Sequence, residues 1–325
     1  MKFLKNIACL GALCASLGMA SAYAQSGGGP LVRFVVGFPA GGGVDAVARA
    51  VAQRVQQQTG RTVVVENRAG AGSRIAAEHV KSARADGNTV FIAPGSIMTL
   101  YPSTYKDLGY DPMTDFVPVT TLIDVQSALF ANANVPVRNI QEFKAWVAAD
   151  AAKRSSLGSP ADGSGPHFLG MTIMHGLGLP VTPIVYKGTA PMVADVLGGH
   201  IPAAVNPIAD LIEYHRAGKL RILAVGGNAR SPLLPDVPTF QEAGLKVVGG
   251  EEWYGVFLPK GTPVDRQREL AQAIQVALKD PTLIQPFAER GWSVHFRQPG
   301  QVADLLKAEA ATWRAVVKSL NYQPQ

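Results

Sequence analysis

The sequence predicts an α/β protein of two lobes with a ligand cleft between them, and three observations carry that expectation. A short apolar strand, a glycine-rich turn and an amphipathic helix follow one another over residues 31–55. The same strand–loop–helix grammar returns in the middle of the chain, without close sequence repetition. The chain has 325 residues, and the part beyond an N-terminal leader is long enough for roughly two domains, each with its own core.

Taken in order, residues 31–38 are rich in Val and Phe and stop at Pro39, as a strand covered on both faces would. Val44, Val47, Ala48, Val51 and Val55 then share one helical face, with Arg49, Gln53 and Arg54 elsewhere. Residues 61–66 read as a second strand, 67–72 as a second glycine-bearing loop, and 75–83 as a short helix that Ser73 would cap. Asp86-Gly87 marks a turn before a third strand at 89–93, which ends in Pro94-Gly95-Ser96. This alternation predicts a parallel sheet with right-handed crossovers. Ligands bind such sheets beyond the carboxyl ends of the strands, and all three loops at that edge are rich in small residues.

Residues 101–118 read as irregular, 119–123 and 128–131 as extended, and 140–152 as helix. Another small-residue loop, 158–167, opens onto a helix at 168–176. A strand at 182–186 leads through 187–190 into a helix over 192–197, and 220–225 is a further strand. The tail reads as helices at 263–278 and 301–320. The apolar stripe of the last one, from Val302 through Trp313 to Leu320, is expected to cover the first lobe.

Residues 1–24 stand apart. Lys2 and Lys5 form a positive start, 7–20 a short apolar stretch, and Ala22-Tyr23-Ala24 an A-x-A cleavage signal. Leu13 beside Cys14 argues against lipidation. The expectation is an exported, soluble protein, cleaved before Gln25. Both cysteines, Cys9 and Cys14, lie in the leader, which leaves the mature chain neither disulfide nor thiol chemistry. No later run is apolar enough for a membrane span. The formal charge of +6 loses Lys2 and Lys5 with the leader. The mild basic excess that remains suits an acidic solute, and no basic run with interleaved aromatics points to nucleic acid.

Gly41–Gly43 allows close approach of a ligand at a helix N-terminus, where free N–H groups and the helix dipole favour an anion. The same Gly41-x-Gly43-x-x-Ala46 spacing formally matches a dinucleotide fingerprint, with Glu66 at the end of the next strand. A tight turn without ligand shares the pattern. Against the dinucleotide, Pro39 stiffens the turn and an exported protein meets little free NAD. Asp45 reads as a partner of the helix dipole, Glu66 as a partner of Arg68, and Arg74 as either a carboxylate-pairing cation or a solvated helix-start residue. No G-x-S-x-G surrounds Ser96, Ser159 or Ser164. The histidines show no metal-ligand spacing, and His167 reads as a packed or locally bonded helix-start residue. Nothing assembles a nucleophile, a base and an oxyanion hole. No enzyme, cofactor or metal is therefore expected. Trp253 reads as a core residue.

Laid out in this way, the chain resembles the extracytoplasmic receptors of tripartite tricarboxylate transporters, the Bug-type solute-binding proteins. The landmarks are Phe38-Pro39-Ala40-Gly41-Gly42-Gly43-Val44-Asp45, Val65-Glu66-Asn67-Arg68-Ala69-Gly70-Ala71-Gly72 and Tyr110-Asp111-Pro112. Ser159-Pro160 through His167, Tyr186-Lys187-Gly188, Leu234 to Thr239 and Trp253-x-Gly255 continue the series. The resemblance implies a two-lobed periplasmic binding protein of type II-like fold, closing on a carboxylate held by backbone groups and ordered water. It implies a site built from Phe38, Pro39, Ala40, Gly41, Gly42 and Gly43, the Ser96 loop, Ser159, Gly163 and Ser164, and Lys187, Gly188 and Ala190 with Tyr186 beside them. Asn206 and Asp210 are further candidates.

Several positions depart from that family's pattern. Ser73-Arg74 replaces a small residue and Asn, and would add charge to the cleft. Ala161 and Asp162 follow Pro160, and Asp162 facing the ligand would disfavour a second carboxylate and favour an amine. His200-Ile201-Pro202 and Val185 also differ. The expected division is a leader over 1–24, lobe 1 over 25–124 and 253–325, and lobe 2 over 125–252. The expected partners are a di- or tricarboxylate, aromatic acid or amino acid and the membrane permease that receives it, with the receptor a monomer. A periplasmic ligand sensor and an exported dinucleotide enzyme are the alternatives.

Overall fold

The protein is described from a computed structural model covering residues 31–324; the expected leader lies outside the described residues. Strands β1 (Val32–Val36), β2 (Val63–Asn67) and β3 (Thr89–Pro94) form a parallel set, with β1 in the middle. Further along come β4 (Phe116–Asn132), β5 (Ser156–Ser159), β6 (Thr182–Val185), β7 (Ala203–Pro207), β8 (Leu220–Val225), β9 (Glu251–Pro259) and β10 (Trp292–Val294). The order is β2-β1-β3-β9-β4-β7-β5-β6, with β8 and β10 also paired to β4. β1 and β3 are nearly all-apolar because both their faces are covered, whereas β2, at the sheet edge, carries Glu66 and Asn67 and is only partly buried. Helices Gly43–Thr59 and Val264–Ala277 pack on one face, and helix Arg74–Lys81 on the other.

β4 links the two halves. From Phe116 to Gln126 it pairs antiparallel with β9, and from Ser127 onward it pairs with β7 and β8 instead. The buried clusters divide in the same way, one pair around β1, β3 and β9 and another around β5, β7 and β8. At the changeover three chain segments touch through backbone. Gly226 N–H donates to Ser127 O at 2.7 Å and Ser127 N–H to Gly250 O at 2.9 Å. A methyl on Gly226 would lie 1.7 Å from that Gly250 oxygen.

Where the sequence suggests two extended stretches, 119–123 and 128–131, the structure has the single strand β4, which runs on through Asp124 and Gln126. The structure satisfies both. Asp124 takes a bidentate pair from Arg297 at 2.9 and 3.1 Å, and Gln126 donates to Gly226 O and Ala229 O. Buried polar side chains with partners do not break a strand.

The last helix, Pro299–Ser319, covers more than the expected first lobe. Val302 and Leu306 join the cluster of Val35 and Phe91, whereas Trp313 and Val317 pack with Leu100 and Phe168. Phe168 belongs to helix Gly165–Gly176, on the far side of the changeover. Each such side chain contributes about 1.5–3 kcal/mol when fully buried, which is ample to hold the helix across both halves.

Candidate functional site

The loop after β1 is shaped by one carboxylate. Asp45 is 2 % exposed and accepts from Gly41 N–H at 2.9 Å, Arg49 Nε at 2.9 Å and Asn67 Nδ2 at 2.8 Å. Burial alone would raise its carboxyl. The bonds from Arg49, Gly41 and Asn67 outweigh that and hold it below the usual carboxylate range. Asn67 also donates to Phe38 O, so the turn is tied at both ends, and Gly41 takes φ +87° within it. Helix Gly43–Thr59 then begins at Gly42 with no side-chain cap. Its first N–H groups are left for an external acceptor.

The neighbouring loop is a left-handed run. Gly70, Ala71, Gly72 and Ser73 all have positive φ, and Ser73 does not cap the helix that follows. Its buried hydroxyl instead lies against Gly37, where a methyl would be 1.7 Å from Ser73 Oγ. Helix Arg74–Lys81 starts from that turn. Arg74 Nε donates to Ala71 O at 3.0 Å, and its guanidinium lies 4.2 Å above the Tyr105 ring, a cation–π contact. The Arg74 charge is thereby placed on Tyr105. Across the cleft, a methyl on Gly163 would sit 3.4 Å from the Tyr105 hydroxyl, so this tyrosine is where the lobes approach.

Ser96 lies in a helical turn after β3 and is 7 % exposed. Its N–H donates to Glu252 Oε1 at 2.7 Å. The other carboxylate oxygen lies at the start of helix Gly165–Gly176, 2.6 Å from where a Gly165 methyl would be. A cavity of about 130 Å³ opens here, lined by Ser96, Gly165, Glu252, Trp253, Glu309 and Trp313 among others. Burial pushes the Glu252 carboxyl up to about 7, against the Ser96 hydrogen bonds. Burial also raises Glu309, whose Oε1 accepts from Trp253 Nε1 at 2.9 Å.

On the second lobe, Ser164 caps helix Gly165–Gly176 and its Oγ donates to Ala161 O at 2.7 Å. Asp162 Oδ1 accepts from Gly163 N–H and stands 3.1 Å from His167 Nδ1. That carboxylate is turned toward its own loop. His167 is buried, which lowers its pKa despite Asp162. Ser159 is 3 % exposed. The Tyr186 hydroxyl donates to Asp195 Oδ2 at 2.7 Å, and Lys187 and Ala190 are exposed beside it. Gly188 N–H closes the loop onto Pro160 O. Thr189 Oγ1 bonds Asn206 Oδ1 at 3.0 Å, and Asn206 Nδ2 donates to Asp210 Oδ2 at 2.9 Å. The structure joins these residues in separate groups: Phe38 to Gly43 form a turn held by Asp45 and Asn67, Ser96 meets the Gly165 helix start through Glu252, Pro160 of the 159–164 loop holds Gly188, and Thr189 is linked through Asn206 to Asp210. It gives Tyr186, Ser96 and Asp162 intramolecular partners at the atoms they would offer.

Two residues went unnoticed in the sequence. Tyr254 Oη and Trp292 Cζ2 would each lie 3.4 Å from a methyl on Gly43, which places both beside the open helix end. Strand alternation puts residues 252 and 254 on one face, and that signal was available once β9 was recognised as a strand. Glu66, which the dinucleotide reading needs, pairs with Arg68 at 2.6 Å. Among the described residues no group of three or more His, Cys, Asp or Glu could hold a metal, and no helix is long and apolar enough to cross a membrane.

Two α/β lobes joined through shared strands, with backbone donors at facing loop edges, define a two-lobed solute-binding protein with its cleft between the lobes. The chain belongs to the tripartite tricarboxylate transporter family of receptors, whose sequence profile matches residues 47–322. It is similar to the periplasmic binding protein BugD, at 32% identity and TM-score 0.81, covering 91% of this chain and 99% of that one. Rpa4515 of R. palustris, solved with adipate, shares 30% identity at TM-score 0.83, over 91% of this chain and 98% of that one. MatC of Rhodopseudomonas palustris, solved with bound malate, shares 28% identity at TM-score 0.79, over 88% and 98%. The chain is thus a periplasmic solute-binding protein of the Bug type.

Proposed function

We propose that the mature protein, a monomer cleaved before Gln25, captures a small carboxylate between its lobes and hands it to a tripartite tricarboxylate-type membrane permease, performing no chemistry on it. The observation that carries this reading is the uncapped start of helix Gly43–Thr59, held open behind a turn that Asp45 fixes. A helix end with free N–H groups favours an anion, and Arg49 balances the Asp45 charge that would oppose it. Two relatives solved with the acids adipate and malate support the ligand class. The lobes are assigned as 25–124 with 253–325, and 125–252, supported by the change of β4 partners after Gln126. Closure around the acid changes the surface shown to the permease.

Thermal unfolding of the mature chain against mono-, di- and tricarboxylates, aromatic acids, amino acids and NAD tests this. A ligand bound only by the native state raises the midpoint by mass action. A shift with one acid class is expected. A shift with NAD alone would replace the reading with a dinucleotide one.

A further inference from the structure

Glu252 touches both halves of the molecule. It stands on β9 opposite Val125 of β4, just before β4 changes partners. Its Oε1 accepts from Ser96 N–H at 2.7 Å, in the turn after β3. Its Oε2 faces the start of helix Gly165–Gly176, 2.6 Å from where a Gly165 methyl would be, and that methyl would lie 4.0 Å from Ser96 Cβ. The carboxyl group is therefore clasped between one element of each half. Leu100, Phe168 and Trp313 pack together at the same junction.

The charges around it are one-sided. The cavity of about 130 Å³ that Glu252 lines also receives Glu251 and Glu309, and no lysine, arginine or histidine is among its lining residues. Glu309, from the C-terminal helix, accepts from Trp253 Nε1. The cations lie outside that lining: Arg297 is held by Asp124 at 2.9 and 3.1 Å, and His295 pairs with the same carboxylate. His167, on the facing helix, is turned to Gly163 N–H through Nδ1. Tyr101 and Tyr254 feel the Glu252 charge, and burial above all keeps both protonated. Carboxyl groups that share a poorly hydrated space do not all ionise. Burial, with Glu309 as a lesser contributor, pushes Glu252 up to about 7 despite its Ser96 hydrogen bonds.

Resting on the capture reading above, we infer that Glu252 is a proton-operated latch between the lobes: approach of helix Gly165–Gly176 to Ser96 traps the carboxyl in its protonated form, so closing on a solute takes up a proton and opening releases it. The protonated group still accepts from Ser96 N–H through Oε1 and leaves no charge facing Glu251 and Glu309. Separation of the lobes returns the carboxyl to water and toward its ordinary value of 4.5. The closed form thus binds the proton more tightly, and by linkage closure is favoured as pH falls through 7 and weakened as pH rises through it.

Calorimetric titration of the mature chain with succinate, citrate, benzoate and L-glutamate, in buffers of different ionisation enthalpy, tests the latch. For an acid that binds, wild type is expected to take up protons at pH 7 and to bind at least about fivefold more tightly at pH 6 than at pH 8. Glu252→Gln keeps an acceptor for Ser96 N–H but cannot titrate, and should lose both effects; the acid's own titration cancels in the comparison. Proton uptake absent from wild type, or equal in the variant, would overturn the latch and leave the capture reading standing. If none of these acids binds, the capture reading fails, and X-ray scattering of the solute-free chain decides the latch alone. A smaller radius of gyration at pH 6 than at pH 8 in wild type, and not in the variant, supports it. Equal radii overturn it.

Discussion

Trp313 meets Phe168 edge-on, with ring centroids 6.0 Å apart and planes at 74°. The contact fastens the second half of the C-terminal helix to helix Gly165–Gly176, whose N-terminal cap is the Ser164 loop of the candidate site. Gly249 is also pressed against this tryptophan, since a methyl there would lie 2.5 Å from Trp313 Cη2. Trp313→Ala removes a large side chain that is 6 % exposed, and a loss of about 3–5 kcal/mol is expected. Urea unfolding measures it. A loss under 1 kcal/mol would show that the helix is held elsewhere.

At the changeover of β4, Gly226→Ala is expected to destabilise strongly. The added methyl meets the Gly250 carbonyl carbon at 2.1 Å as well as its oxygen, and backbone cannot rotate away as a side chain would. The cost should reach or exceed about 3 kcal/mol. Gly300→Ala, where a methyl meets nothing within 4 Å, is the control and should change the midpoint little.

The contribution of Glu252 to stability should fall as pH rises toward neutrality. Glu252 titrates near 7 in the folded protein, against an ordinary value of 4.5. The folded state therefore binds more protons than the unfolded state between those values, and stability declines as pH climbs from about 4.5 to about 7. Glu309, Glu251 and Asp210 are raised too and act in the same sense, whereas burial lowers His79, His167 and His215, which act in the opposite sense below their ordinary value of 6.5. Asp45, Asp86 and Asp115 are lowered, and their contribution is lost only on acidification below the ordinary value of 3.8. Unfolding midpoints of wild type and Glu252→Gln from pH 4 to 8 test this. The variant should decline less, and an identical slope in both would contradict the account.

Asp45→Ala should loosen the glycine turn without unfolding the protein. It leaves Gly41 N–H and Asn67 Nδ2 without their acceptor and Arg49 without its ion pair, at a cost of about 1–3 kcal/mol. Affinity for the acid that stabilises the wild type most should fall tenfold or more. Unchanged affinity would mean that the turn does not position the anion.

Much of this was legible in the sequence because local rules and tertiary contacts agree there. The apolar run at 31–38, the glycine turn and the valine face of the first helix each specify their element without outside help. Ser164 caps helix Gly165–Gly176, which starts three residues before the expected 168. Ser73 does not, because its role is set by Gly37, a distant contact that no local pattern encodes. The same holds for Asp124, whose partner Arg297 is far along the chain, and for Tyr254, whose position beside Gly43 depends on how β9 enters the sheet. From sequence, Arg74 reads as either a carboxylate-pairing cation or a solvated residue, and Asp162 as a charge that acts only if it faces the ligand. Their partners, the Tyr105 ring and the 163–167 turn, appear only once the loops are folded.

The central claim is that an acid sits at the start of helix Gly43–Thr59. Gly43 has no positive φ, so Gly43→Leu adds a side chain without backbone strain and fills the space beside Tyr254 and Trp292. The decisive measurement is calorimetric titration of wild type and Gly43→Leu with the acid that most raises the wild-type unfolding midpoint. The account predicts one acid bound per wild-type chain and no binding to a variant that still folds. Equal binding by the two proteins would place the acid elsewhere.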